Sequence, residues 1–111
     1  TPTTATRSNH MKEINSELRL KRSVEGMGGR CFKLKFPGTA GAPDRLVLLP
    51  GGGVYFVEMK KTDGKLEPSQ RITFPLIEKL GTRVYVLYGH EGVDEFINAV
   101  KAESKRHENT H

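Results

Sequence analysis

Residues 41–60 read Gly41-Ala42-Pro43-Asp44-Arg45-Leu46-Val47-Leu48-Leu49-Pro50-Gly51-Gly52-Gly53-Val54-Tyr55-Phe56-Val57-Glu58-Met59-Lys60. Two runs rich in Val, Leu, Tyr and Phe flank Pro50-Gly51-Gly52-Gly53, a spacing that predicts two strands, 45–49 and 54–60, joined as a hairpin. Gly41 gives the preceding loop freedom and Pro43 stiffens its exit, so Asp44 is held at the mouth of a strand. Side chains alternate along a strand, which puts Phe56, Glu58 and Lys60 on one face. If the two strands pair through the hairpin, their outer ends lie side by side and Asp44 approaches Glu58.

Working outward, residues 12–27 carry Ile14, Leu18, Leu20, Val24 and Met27 at helical spacing, stopped by Gly28-Gly29. Cys31 to Phe36 reads as a further strand. Beyond Lys60, a helix is expected from Pro68, a favoured first helical residue, to Gly81, with Ile72, Leu76, Ile77 and Leu80 as its apolar positions. Pro75 must bend or interrupt it. Arg83 to Tyr88 reads as a fourth strand, and Val93 to Lys101 as a last helix with Val93, Phe96, Ile97 and Val100 facing the core. The predicted order is α-β-β-β-α-β-α, an α/β fold. Residues 1–10 are Thr- and Ser-rich, with His10-Met11 resembling a vector scar at a native start, and 103–111 form a polar tail, which leaves 11–102 as the domain.

Composition bounds the function classes. A chain of 111 residues supports a single modest core. No apolar run approaches membrane-spanning length, so a membrane role is set aside. The lone Cys31 cannot form an internal disulfide, and a reducing cytoplasm is the default expectation. The net charge of +5 suits a polyanionic partner without requiring one. Lys33, Lys35, Arg45, Lys60, Lys61, Lys65 and Arg71 gather around the hairpin in sequence, where they could contact phosphates or merely solubilise the surface.

Two carboxylates and an ammonium at one spot suggest a particular chemistry. Mg²⁺ keeps several waters and typically takes one or two protein carboxylates, leaving room for a substrate phosphate, so Asp44 and Glu58 suffice. Mn²⁺ suits the same oxygen ligands. Such an ion acidifies a bound water and neutralises charge on a phosphate under attack, while Lys60 orients the nucleophile or stabilises the transition state. One cysteine and dispersed histidines do not assemble a structural zinc site. Each residue has a plainer reading. Asp44 could be a turn residue and Glu58 with Lys60 a solvated strand face.

Pro43-Asp44 followed by Glu58-Met59-Lys60 matches the PD-(D/E)XK signature of the restriction-endonuclease-like superfamily. More narrowly, Gly28-Gly29, Gly41 to Leu46, Phe56 to Lys60, Gly64-Lys65-Leu66, Gln70 and Gly81 together resemble the VRR-NUC (virus-type replication-repair nuclease) family over nearly the whole domain. The resemblance implies a restriction-endonuclease-like core with a mixed central sheet flanked by helices, and metal-dependent cleavage of DNA phosphodiester bonds. For stand-alone phage-type members it implies a homodimer acting on branched DNA such as Holliday junctions or flaps. Asp44 and Glu58 then resemble the metal-binding acids, with the Met59 backbone carbonyl a further ligand and Lys60 the catalytic lysine. Gln70 resembles the glutamine that opens the following helix. Glu17 resembles an acid of the first helix that faces the site and holds metal through water. Glu17 sits on the apolar side of its helix, an odd place for an unpartnered charge, although Lys21 one turn later could simply pair with it. Gln70 could equally be a surface helix residue.

Two other functions fit parts of the pattern. A catalytically silent DNA-binding accessory protein would not need the intact acid-acid-lysine set. A phosphatase or nucleotide hydrolase would ordinarily cradle phosphate on a glycine loop before a helix, whereas Gly51-Gly52-Gly53 joins two strands. A histidine mechanism finds little support, because His10, His107 and His111 lie toward the ends and His90 in a turn, none with a visible partner.

Overall fold

The computed structural model describes residues 15–109, and their side chains as far as 105. Ile14 and the segment 1–10 lie outside the described residues. Helix α1 covers 15–26. It is followed by β1 (Arg30–Lys33), β2 (Arg45–Leu49), β3 (Gly53–Lys60), α2 (Pro68–Lys79), β4 (Val84–Tyr88) and α3 (Gly89–Asn109). The α-β-β-β-α-β-α order and the α/β class follow the sequence expectation.

The strands form one sheet in the order β1-β2-β3-β4. The first three run antiparallel, and β4 returns parallel to β3 after crossing over through α2, so the sheet is mixed. The hairpin turns because Gly51 and Gly52 both take positive φ, at 86° and 91°, a conformation glycine adopts without penalty. β3 is interior and covered on both faces at its outer end, where Val57, Glu58 and Met59 are all buried.

Its two faces serve different purposes. Val57 and Met59 join Val47, Leu87, Leu20 and Val24 of α1, and Val93, Phe96, Ile97 and Val100 of α3 in the main core. Phe96, Tyr55 and Tyr85 meet edge to face there, with centroids 5.1–5.6 Å apart, a favourable arrangement of ring quadrupoles. α2 covers part of the opposite face, burying Phe74 and Val84.

Four expectations change. α2 turns Gln70, Thr73 and Phe74 inward and leaves Ile72, Leu76 and Leu80 exposed at 68%, 56% and 87%. The reason is polar: the Thr73 hydroxyl donates to the Ala40 carbonyl at 2.6 Å, and the Gln70 Oε1 accepts the Glu67 N–H at 2.9 Å in a capping box, which fixes the helix rotation. Pro75 removes one backbone donor without ending this helix. Leu18, one of the periodic apolar positions of α1, is exposed, and the buried positions are Ser16, Leu20 and Val24. α3 begins earlier and runs further than 93–101, and beyond the expected end the Tyr55 hydroxyl donates to Glu103 Oε2 at 2.8 Å. β1 stops at Lys33, although Leu34 N–H still donates to the Asp44 carbonyl at 3.0 Å.

Adjacent residues of α1 separate packing from surface charge. Arg19 makes a bidentate pair with Asp94 of α3 at 2.8 and 2.9 Å, but both side chains are about half exposed. Leu20 is fully buried. In urea denaturation at moderate salt, Arg19→Ala is expected to leave the midpoint nearly unchanged, whereas Leu20→Ala should cost about 2–5 kcal/mol.

Candidate active site

The site lies where β2 begins and β3 ends. The register pairs Arg45 with Val57, so Asp44 stands opposite Glu58 one step further out. Two hydrogen bonds lock the acids crosswise. The Asp44 N–H donates to Glu58 Oε1 at 3.1 Å, and the Met59 N–H donates to Asp44 Oδ1 at 3.2 Å. Lys60 Nζ lies 3.3 Å from Glu58 Oε2, with both side chains largely buried. Asp44, Glu58 and Lys60, singled out from sequence, are thus brought together. The Met59 side chain points into the main core, which leaves only its backbone to the site and explains an apolar residue between Glu58 and Lys60.

The loop before Asp44 is fitted against α2. Pro43 is fully buried. Gly41 has φ +84°, and a Cβ there would stand 2.4 Å from the Ser69 carbonyl oxygen, so only glycine lets the loop pass this close. Gln70, at the same helix end, is buried and committed through Oε1 to its cap. The Ala40 carbonyl receives Thr73 from the next turn. Thr73 was not singled out in the sequence, although its place three residues after Gln70 puts it on the same helix face.

Glu17 arrives from the far side of the sheet. It pairs with Arg45 rather than Lys21, Oε2 to Nη2 at 3.0 Å. Its charge still acts on Asp44, raising that carboxyl's pKa. Arg45 is therefore a structural counter-ion here, whereas Lys33, Lys35, Lys61, Lys65 and Arg71 are exposed.

Burial and the neighbouring Glu58 charge push the Asp44 carboxyl up from 3.8 to about 6, against the opposing pull of the Met59 N–H and Arg45. Two acids crowded together with too little positive charge form a site suited to a cation. Asp44 Oδ2 takes no hydrogen bond among the described residues, and those residues contain no group of three or more His, Cys, Asp and Glu able to hold a metal. A pair of carboxylates fits a hard, water-retaining ion of the Mg²⁺ type.

A mixed sheet that presents Pro-Asp at one strand mouth and Glu-X-Lys at the end of its neighbour has the architecture of the PD-(D/E)XK nucleases. Compared with models of protein families, the sequence matches none. "Putative nuclease p44" of Acyrthosiphon pisum secondary endosymbiont phage 1 is 39% identical over 77 residues, 69% of this chain and 83% of that protein. A solved VRR_NUC domain is 36% identical and superposes with a TM-score of 0.73 over 78% of this chain and 95% of its own. The chain belongs to the VRR-NUC nuclease family.

The raised Asp44 pKa has a thermodynamic consequence. A carboxyl that holds its proton more tightly when folded favours the folded state below pH 3.8, and that contribution is lost as pH climbs through 6. Asp44→Asn keeps the acceptor for the Met59 N–H. In EDTA at pH 7.5 it is expected to raise stability by on the order of 1–2 kcal/mol, the full shift being discounted for partial exposure. Urea denaturation from pH 4 to 7 should show the loss in wild type flattened in the variant; parallel curves would assign the titration to another group.

Proposed function

We propose that this protein is a Mg²⁺- or Mn²⁺-dependent deoxyribonuclease that hydrolyses phosphodiester bonds in branched DNA such as Holliday junctions or flaps. The observation that carries the reading is the crosswise lock of Asp44 and Glu58 with Lys60 Nζ 3.3 Å from the second acid. Asp44, Glu58 and the Met59 carbonyl would hold the ion. When bound, the ion supplies a Lewis acid that acidifies water and offsets charge on the phosphate.

The protein's own groups do the rest. Lys60, held against Glu58, places its ammonium beside the attacking water and the charge that builds on phosphorus. Gln70, its Oε1 occupied by the cap, turns its amide N–H groups to the substrate or its water. Glu17, steadied by Arg45, adds negative charge behind Asp44 and would reach a bound ion only through water. Exposed Lys33, Lys35, Lys61, Lys65 and Arg71 contact the DNA backbone without reading bases. Attack in line leaves a 3′-hydroxyl and a 5′-phosphate.

Branch selectivity is assigned to a homodimer, in which two centres related by a two-fold axis each cut one strand. The bare stripe Ile72, Leu76 and Leu80 on the outer side of α2 supports such self-association. Among the described residues no helix is long and apolar enough to cross a membrane.

Cleavage of end-labelled four-way junction, flap and linear duplex with Mg²⁺, Mn²⁺ or EDTA tests the reading. Wild type should cut only with metal and prefer the branched forms. Glu58→Gln and Lys60→Ala should each lose about a hundredfold or more in rate while circular dichroism and DNA affinity stay near wild type. Cutting that survives Glu58→Gln, or no cutting of any substrate, would leave a DNA-binding module as the better account. Sedimentation should give a dimer for wild type and a monomer for Leu76→Lys; a monomeric wild type would remove the paired-cut scheme alone.

A further inference from the structure

The register places one more aromatic residue at the site. Lys60 on β3 pairs with Tyr88 on β4, and Glu58 with Val86. Alternation then puts Tyr88 on the face that carries Glu58 and Lys60, opposite the core face of Tyr85 and Leu87. One strand over and two residues along, its Cα lies about 8 Å from that of Glu58. Tyr88 is 40% exposed, on an edge strand, while Tyr55 and Tyr85 are packed against the core. Exposed Lys61 follows Lys60 directly, and exposed Lys65 lies beyond Thr62-Asp63-Gly64 in the same loop.

An exposed ring beside a phosphate-seeking lysine suits a nucleotide: the cation takes the phosphate and the ring takes the base. Tyrosine offers a flat apolar surface at little cost in rotamer entropy, and every base has a face to stack on it. The distance of about 8 Å corresponds to about two nucleotides along a strand at about 3.4 Å rise each. Stacking on a protein ring also requires a base not enclosed in a duplex, which a flap or a junction branch supplies.

Resting on the nuclease reading above, we propose that Tyr88 is a stacking platform for an unpaired nucleotide about two positions from the bond that is cut, so that the site selects DNA with a locally unpaired strand. Tyr88 contributes to substrate binding; its hydroxyl has no part in the chemistry.

The test uses a flap DNA carrying 2-aminopurine at each unpaired position near the branch, bound in EDTA so that nothing is cut. Wild type and Tyr88→Phe should quench the fluorescence of one position, and Tyr88→Ala and Tyr88→Leu should not. In Mg²⁺, Tyr88→Ala should raise KM for the flap about tenfold or more, with kcat within about threefold of wild type and KM for nicked, fully paired duplex unchanged. Tyr88→Leu keeps the bulk, so a fold defect in the alanine variant does not decide the matter. Equal quenching in Tyr88→Leu, or a loss confined to kcat, would overturn the assignment. A wild type that cuts flaps while Tyr88→Ala and Tyr88→Leu match it sinks this inference alone, whereas a wild type that neither binds nor cuts DNA sinks the nuclease reading with it.

Discussion

The structure turns on the crosswise pair of hydrogen bonds between strand ends, Asp44 N–H to Glu58 Oε1 and Met59 N–H to Asp44 Oδ1. Each acid satisfies the backbone donor at the end of the other's strand, where the ladder would otherwise leave an N–H unpaired. The same bonds hold two like charges side by side. Repulsion between them is offset by those donors, by Lys60 on Glu58 and by Arg45 next in sequence to Asp44. Backbone order and charge placement are one set of contacts, so the acids cannot shift apart without unzipping the sheet's outer end.

Around that pair, the fold departs from ordinary packing rules in one direction. α2 turns glutamine and threonine toward the protein and exposes isoleucine and leucine. β3 buries a glutamate at its end. Local inconsistencies of this kind concentrate at functional sites and are tolerated when the rest of the core is regular. Here the opposite sheet face supplies that regularity, with α1 and α3 packed on Val47, Val57 and Leu87.

What could be read from sequence follows the range of the forces involved. The hairpin, the alternation along β3 and the glycine turn are local rules, and they sufficed to bring Asp44, Glu58 and Lys60 to one place. The face of α2 was not legible, because its rotation is set by Thr73 bonding Ala40, 33 residues away, against the count of apolar side chains. Glu17 was visible as a misplaced charge, but its partner Arg45 comes from another element and Lys21 was the nearer candidate. The extension of α3 brings Glu103 to Tyr55, 48 residues apart. Tyr88 needed the parallel register of β3 with β4, which no periodicity encodes.

The hairpin that carries both acids bears on how the molecule assembles. Asp44 and Glu58 are 14 residues apart, joined by a turn of glycines. The entropy of closing a loop grows with its length, and antiparallel neighbours need far less chain than a crossover. Placing β4 beside β3 requires the whole of α2 to form and dock. The two acids therefore depend on the most local pairing in the sheet, and the slower, long-range closure supplies their surroundings.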